Sequence, residues 1–120
     1  MALRKPTESD IVRSCLEYLR RCGWVCWRSN TGAAAYTNAA GKRRFVRYGE
    51  PGIADILGVL PGGRMLCVEC KSATGRLRPG QEAFLGRVRA AGGLALVVRS
   101  VTELAALLRE AGYSDIPEVR

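Results

Sequence analysis

The stretch Pro51 to Lys71, PGIADILGVLPGGRMLCVECK, decides the fold. It holds two apolar runs of strand length, Ile53 to Leu60 and Met65 to Cys70, joined by the turn residues Pro61, Gly62 and Gly63. Asp55 sits early in the first run, Glu69 lies at the end of the second, and Lys71 follows two residues later. Strand side chains alternate faces, so Glu69 and Lys71 project one way while Val68 and Cys70 project the other. Paired as a hairpin, the two runs bring Asp55 and Glu69 to the same end of a sheet. Two carboxylates and an ammonium then converge there, and such charges are costly to bury unless they bind a cation or one another.

That set of groups points to metal-assisted hydrolysis of a phosphodiester. Hard carboxylate oxygens suit Mg²⁺, which takes one or two protein carboxylates and completes its shell with water and phosphate oxygens. Lys71 is placed to stabilise charge developing on the phosphoryl oxygens or to lower the pKa of an attacking water. A short acid-x-Lys pattern also arises by accident, in which case Glu69 and Lys71 are a solvated pair at a strand end.

Downstream, Ser72 to Gly80 reads as a basic loop carrying Arg76 and Arg78, and Pro79 suits the first turn of a helix. Gln81, Phe84, Leu85, Val88 and Ala91 then recur with helical spacing, so Gln81 begins the buried stripe. It either caps the helix or partners the lysine or water of the site. Gly92 and Gly93 stop the helix, Leu94 to Val98 is a buried strand, and Ser100 with Glu103 opens a last helix ended at Gly112. The tail from Tyr113 to Arg120 carries no signal.

Upstream, Ile11, Val12, Cys15, Leu16 and Leu19 mark an amphipathic helix capped by Thr7 with Asp10 and ended by Gly23. Glu8 falls in its first turn, where an acid suits the helix dipole whether or not it has a chemical role. Trp24 to Ser29 reads as a strand, setting Val25 and Trp27 against Trp24 and Cys26, and Asn30-Thr31-Gly32 breaks it. Phe45 to Tyr48 reads as a further strand, hairpin-paired near Tyr36. Lys42, Arg43, Arg44 and Arg47, interleaved with Phe45 and Tyr48, either track a phosphate backbone and stack on bases or form a solvated loop. Arg28, Asn30, Arg76 and Arg78 join them as candidate nucleic-acid contacts.

The formal net charge of +8 implies a polyanionic partner, and all but three of the nineteen basic residues are arginine, the better phosphate fork. Biased base composition would also enrich arginine. Cys67 and Cys70 lie three apart in a strand, hence on opposite faces. With no histidine in the chain, they argue against zinc, as the odd count of five cysteines argues against a disulfide framework. The lack of histidine also excludes hydrolases built on a histidine base. No apolar run reaches membrane-span length and Met1 to Thr7 has no signal-peptide core, so the expectation is a cytoplasmic protein without membrane contact.

Gly52-Ile53-Ala54-Asp55, Glu69-Cys70-Lys71 and Gln81 together resemble the signature of the PD-(D/E)xK nuclease superfamily, and within it the small stand-alone VRR-NUC domains of phages and bacteria. The resemblance runs from about Glu8 to about Val101. It implies that Asp55, Glu69 and the Cys70 backbone carbonyl hold Mg²⁺ or Mn²⁺ and that Lys71 assists the nucleophile. It further implies a helix-borne acid, matched by Glu8, and an orienting glutamine, matched by Gln81. One departure is Ala54, where the family commonly has proline.

The element order is helix, three or four strands, helix, strand, helix, in one domain across 1–120. It resembles the restriction-endonuclease-like fold, an α/β architecture with a mixed sheet flanked by helices. The resulting expectation is a metal-dependent, structure-selective DNA endonuclease, specifically a homodimeric four-way (Holliday) junction resolvase. A non-catalytic nucleic-acid-binding module on the same fold and a purely structural subunit are the competing expectations.

Overall fold

Thr7 starts the first helix. In the computed structural model, which describes residues 4–29 and 32–120 and only the backbone at 32–34, 47 and 48, Thr7 Oγ1 accepts from the Asp10 amide at 3.1 Å. The Asp10 carboxylate in turn accepts from the Thr7 amide at 2.9 Å. Such a reciprocal cap contributes about 1 kcal/mol and fixes where the helix begins. Helix α1 (Glu8–Arg21) then buries Ile11, Val12, Cys15, Tyr18 and Leu19 along one face.

Strands β1 (Val25–Arg28), β4 (Ile56–Val59), β5 (Met65–Cys70) and β6 (Leu94–Val98) form one mixed sheet in the order β1-β4-β5-β6. The first two pairings are antiparallel and β5 with β6 is parallel. Helices α1 and α3 (Val101–Glu110) cover one face, where Ile56, Val68, Cys70 and Val98 meet Cys15, Leu19, Leu104 and Leu108. Helix α2 (Pro79–Ala90) covers the other, packing Phe84, Leu85 and Val88 on Leu57, Cys67 and Ala95. Cys67 and Cys70 thus belong to different cores, as their spacing requires.

Among the described residues, strands β2 (Gly32–Thr37) and β3 (Arg43–Tyr48) pair only with each other, as a separate two-stranded hairpin. Five strands therefore precede α2, where the sequence suggested three or four, and two of them stand outside the main sheet. The helix-flanked mixed sheet is that of a restriction-endonuclease-like fold. Expected boundaries shift: β3 begins at Arg43 rather than Phe45, and two further shifts have a local cause. Regular pairing begins at Ile56 rather than Ile53, because the chain turns at Glu50 to Ile53 (amide to carbonyl, 3.2 Å) and enters the sheet late. Ala91 is exposed, because α2 ends one residue before it.

The C-terminal segment, silent in the sequence, folds back over α1. Tyr18 Oη donates to the Pro117 carbonyl at 2.5 Å, Tyr113 meets Trp24 edge-on at 5.8 Å, and Ile116 and Val119 join the first core. Among the described residues no helix is long and apolar enough to cross a membrane.

Candidate active site

The acids meet at the end of the β4–β5 pair. Asp55 immediately precedes β4 and is held from two sides: its carbonyl accepts from the Ser29 amide at 2.8 Å, and its Oδ2 accepts from the Cys70 amide at 2.8 Å. Ser29 Oγ also donates to the Ala54 carbonyl. The end of β1 and the end of β5 therefore fix this carboxylate together. Gly52 sets the approach. It has φ +76, and a Cβ there would lie 2.4 Å from the Gly80 carbonyl oxygen, so only glycine lets this loop touch the start of α2.

Glu69 is 2% exposed and Lys71 4%. Both project toward the α2 side of the strand end, as alternation requires. Lys71 Nζ lies 3.8 Å from Glu69 Oε1 and 3.8 Å from Glu8 Oε1, so one ammonium bridges a strand acid and the first-turn acid of α1. Glu8 thus lies in the first turn of α1 and pairs with Lys71. Gln81 caps its helix as expected, but its other side-chain contact is with Glu69 rather than with Lys71. Its Oε1 accepts from the Arg78 amide at 3.0 Å, capping α2, while its Nε2 points to Glu69 Oε1 at 3.4 Å.

Glu69 Oε2 is buried and has no hydrogen-bond partner. Burial, reinforced by the neighbouring Asp55 carboxyl and only partly opposed by Lys71, pushes the Glu69 pKa up to about 8. A buried, orphaned carboxylate oxygen beside a second carboxylate is the donor set a small divalent cation would satisfy. Among the described residues no three His, Cys, Asp or Glu side chains cluster tightly enough to hold an ion by themselves. Carboxylate oxygens of this kind are hard donors that suit a hard divalent cation. The Cys70 thiol is driven far up by its neighbour Cys15 and by burial, so it stays neutral, and it lies in the core beneath α1 and α3.

The structure thus brings Glu8, Asp55, Glu69, Lys71 and Gln81 to one sheet end. Arg28, Arg76 and Arg78 are exposed on segments leading into or out of it: Arg28 ends β1, and the other two lie between Lys71 and α2. Lys42, Arg43 and Arg44 are exposed on the hairpin and its turn. Asn30 and the side chain of Arg47 lie outside the described residues.

Two supports escaped the sequence reading. Ser29 read only as the residue before a break. Arg99 Nη1 reaches from the end of β6 to the Ser72 carbonyl and, at 2.8 Å, to the Gly75 carbonyl, pinning the turn after Lys71. In that turn a Cβ at Gly75 would approach Glu8 Oε2 to 3.3 Å, so the turn also sits against the α1 acid.

No curated protein and no solved structure matches this chain. The profile of the VRR-NUC domain matches residues 7–102, a span that takes in every acid, the lysine and the glutamine gathered at the sheet end. With most of its length inside that match, the chain belongs to the VRR-NUC family, a nuclease family of the PD-(D/E)xK type.

Proposed function

We propose that this nuclease-family chain is a divalent-metal-dependent DNA endonuclease that hydrolyses phosphodiesters at the Asp55–Glu69–Lys71 site and prefers branched DNA. The observation that carries the reading is the buried Glu69 carboxylate, whose Oε2 lacks a partner although Asp55, Lys71 and Gln81 surround it. Asp55, Glu69 and the Cys70 carbonyl would hold Mg²⁺ or Mn²⁺. Bound there, the ion would polarise the scissile phosphoryl group and make a nearby water acidic enough to attack.

The chain's own residues do the rest. Lys71 Nζ, positioned by Glu8 and Glu69 at 3.8 Å each, stabilises negative charge accumulating on the phosphoryl oxygens. Gln81 holds the Glu69 carboxylate in register with α2. The arginines on the bordering segments, Arg28, Arg76 and Arg78, with Lys42, Arg43, Arg44 and Arg47, supply phosphate contacts, and the net charge of +8 supports a polyanionic substrate. Two copies related by a two-fold axis would set two such sites on the paired strands of a four-way junction, the substrate we assign to the enzyme.

End-labelled linear duplex, single strand, flap and four-way junction are to be compared with Mg²⁺, Mn²⁺ or EDTA, for the wild type beside Asp55→Ala and Lys71→Ala. Metal-dependent cutting reduced by about a hundredfold or more in both variants is the expected result. Equal cutting of junction and linear duplex would remove the junction assignment. DNA binding without cutting in any metal would leave a binding module on the same fold.

A further inference from the structure

Among the described residues the β2–β3 hairpin contributes no side chain to either core. Register places Ala35 opposite Phe45 and Tyr36 opposite Arg44, so Phe45 and Arg43 share one face of the ribbon while Tyr36, Arg44 and Val46 share the other. Both faces are open: Phe45 is 69% exposed, Tyr36 50% and Val46 48%, and none of the three joins either core. The small Ala35 opposite Phe45 leaves the ring uncovered, with the Arg43 guanidinium 5.9 Å from its centroid.

The tip, by contrast, is tightly tied. Asn38 Oδ1 accepts from the amides of Ala40 and Lys42 at 3.0 Å each, and the Asn38 amide donates to the Lys42 carbonyl at 3.0 Å. No acidic residue occurs between 32 and 49, so Lys42, Arg43 and Arg44 meet no counter-charge within the ribbon. A lone two-stranded ribbon is marginal in water. One that keeps an aromatic ring and an arginine on each face, with a closed basic tip, is shaped for a partner offering flat apolar surfaces on both sides and negative charge around them. Unpaired or helix-terminal bases flanked by phosphates have that chemistry.

We propose that the hairpin is a wedge that enters the branch point of DNA, Phe45 stacking on a base at one face and Tyr36 on a base at the other, while Lys42, Arg43 and Arg44 take the adjoining phosphates. The choice of DNA rests on the nuclease reading, but the wedge itself belongs to binding and not to the chemical step. It assigns structure selectivity to two aromatic side chains outside the active site.

The test uses the full chain in EDTA, so that nothing is cut. Binding of a four-way junction and of a linear duplex of the same sequence is followed by fluorescence anisotropy across a salt series. The variants are Phe45→Ala, Tyr36→Ala, Phe45→Trp and the pair Arg43→Ala with Arg44→Ala. Each aromatic-to-alanine change is expected to weaken junction binding by roughly tenfold while leaving duplex binding nearly unchanged, and Phe45→Trp to restore it. The double arginine variant should weaken both substrates and lower the salt slope by about one per arginine.

A fluorescent adenine analogue placed at the branch point should be quenched by the wild type and not by Phe45→Ala. Unchanged junction binding in both alanine variants, or equal losses on junction and duplex, would overturn the wedge. So would a shift from dimer to monomer in sedimentation of Phe45→Ala, because the ring would then cover a second copy. Stacking without any cleavage in the metal experiment above would sink the nuclease reading and leave the wedge standing.

Discussion

Glu69 is 2% exposed and Lys71 4%, whereas Phe45 is 69% exposed and Tyr36 50%. The first pair sits where two helices and two strands converge, and nearly every polar atom there is held by another element. The second pair rides a ribbon whose described side chains join neither core. The difference separates two demands on a nuclease. A metal-binding carboxylate must be fixed to within fractions of an ångström, which is achieved by building it on buried strands and holding it with neighbours. A surface that meets variable DNA needs reach and adaptability, which a ribbon outside both cores provides.

The contrast is broken most severely at two positive-φ glycines, Gly52 and Gly41. Gly52→Ala would put a Cβ 2.4 Å from the Gly80 carbonyl and force the Asp55 loop away from α2, whereas Gly41, with φ +77 at the hairpin tip, has nothing within 4 Å of its Cβ position. Denaturant unfolding should therefore show Gly52→Ala losing about 3 kcal/mol or more, with cleavage lost alongside, and Gly41→Ala about 1–2 kcal/mol from backbone strain alone. Equal losses would mean that the two regions are equally constrained.

A second measurement sharpens it through pH. Glu69 carries a folded pKa of about 8 against an ordinary 4.5. The folded, metal-free protein keeps a proton that the unfolded chain releases, so this contribution to stability is complete below pH 4.5 and is lost as pH rises toward 8. Thermal unfolding in EDTA should show the wild type weakening across that window and Glu69→Gln lacking that fall. Divalent metal should reverse the trend by binding the deprotonated carboxylate. A wild type whose stability is flat between those limits would show that Glu69 ionises freely. The smallest effect is expected on the ribbon, where Phe45→Ala and Tyr36→Ala should move unfolding stability by no more than about 0.5 kcal/mol, since neither ring joins a core.

Much of the sheet was legible because its residues obey simple periods. The alternation in Met65 to Cys70 placed Glu69 and Lys71 on one side, and the helical spacing from Gln81 to Val88 aimed α2 at them. Ile53 to Asp55 misled because apolar residues in a turn resemble a strand until the Gly52 geometry is known. Ala91 misled because a stripe does not reveal where the helix stops. Ser29 and Arg99 were invisible for a different reason: each acts through backbone carbonyls distant in sequence, and a carbonyl leaves no trace in residue type. The C-terminal clasp on Tyr18 and Trp24 escaped for the same cause, its residues being few and without period.

Gln81 joins two structures with one side chain, its oxygen closing the first turn of α2 and its nitrogen holding Glu69. Fraying of that turn and loosening of the carboxylate are consequently a single motion. The Arg78 amide, whose proton is protected only while Gln81 stays in place, becomes a built-in clock for the site: its exchange with solvent deuterium counts how often the acid is let go.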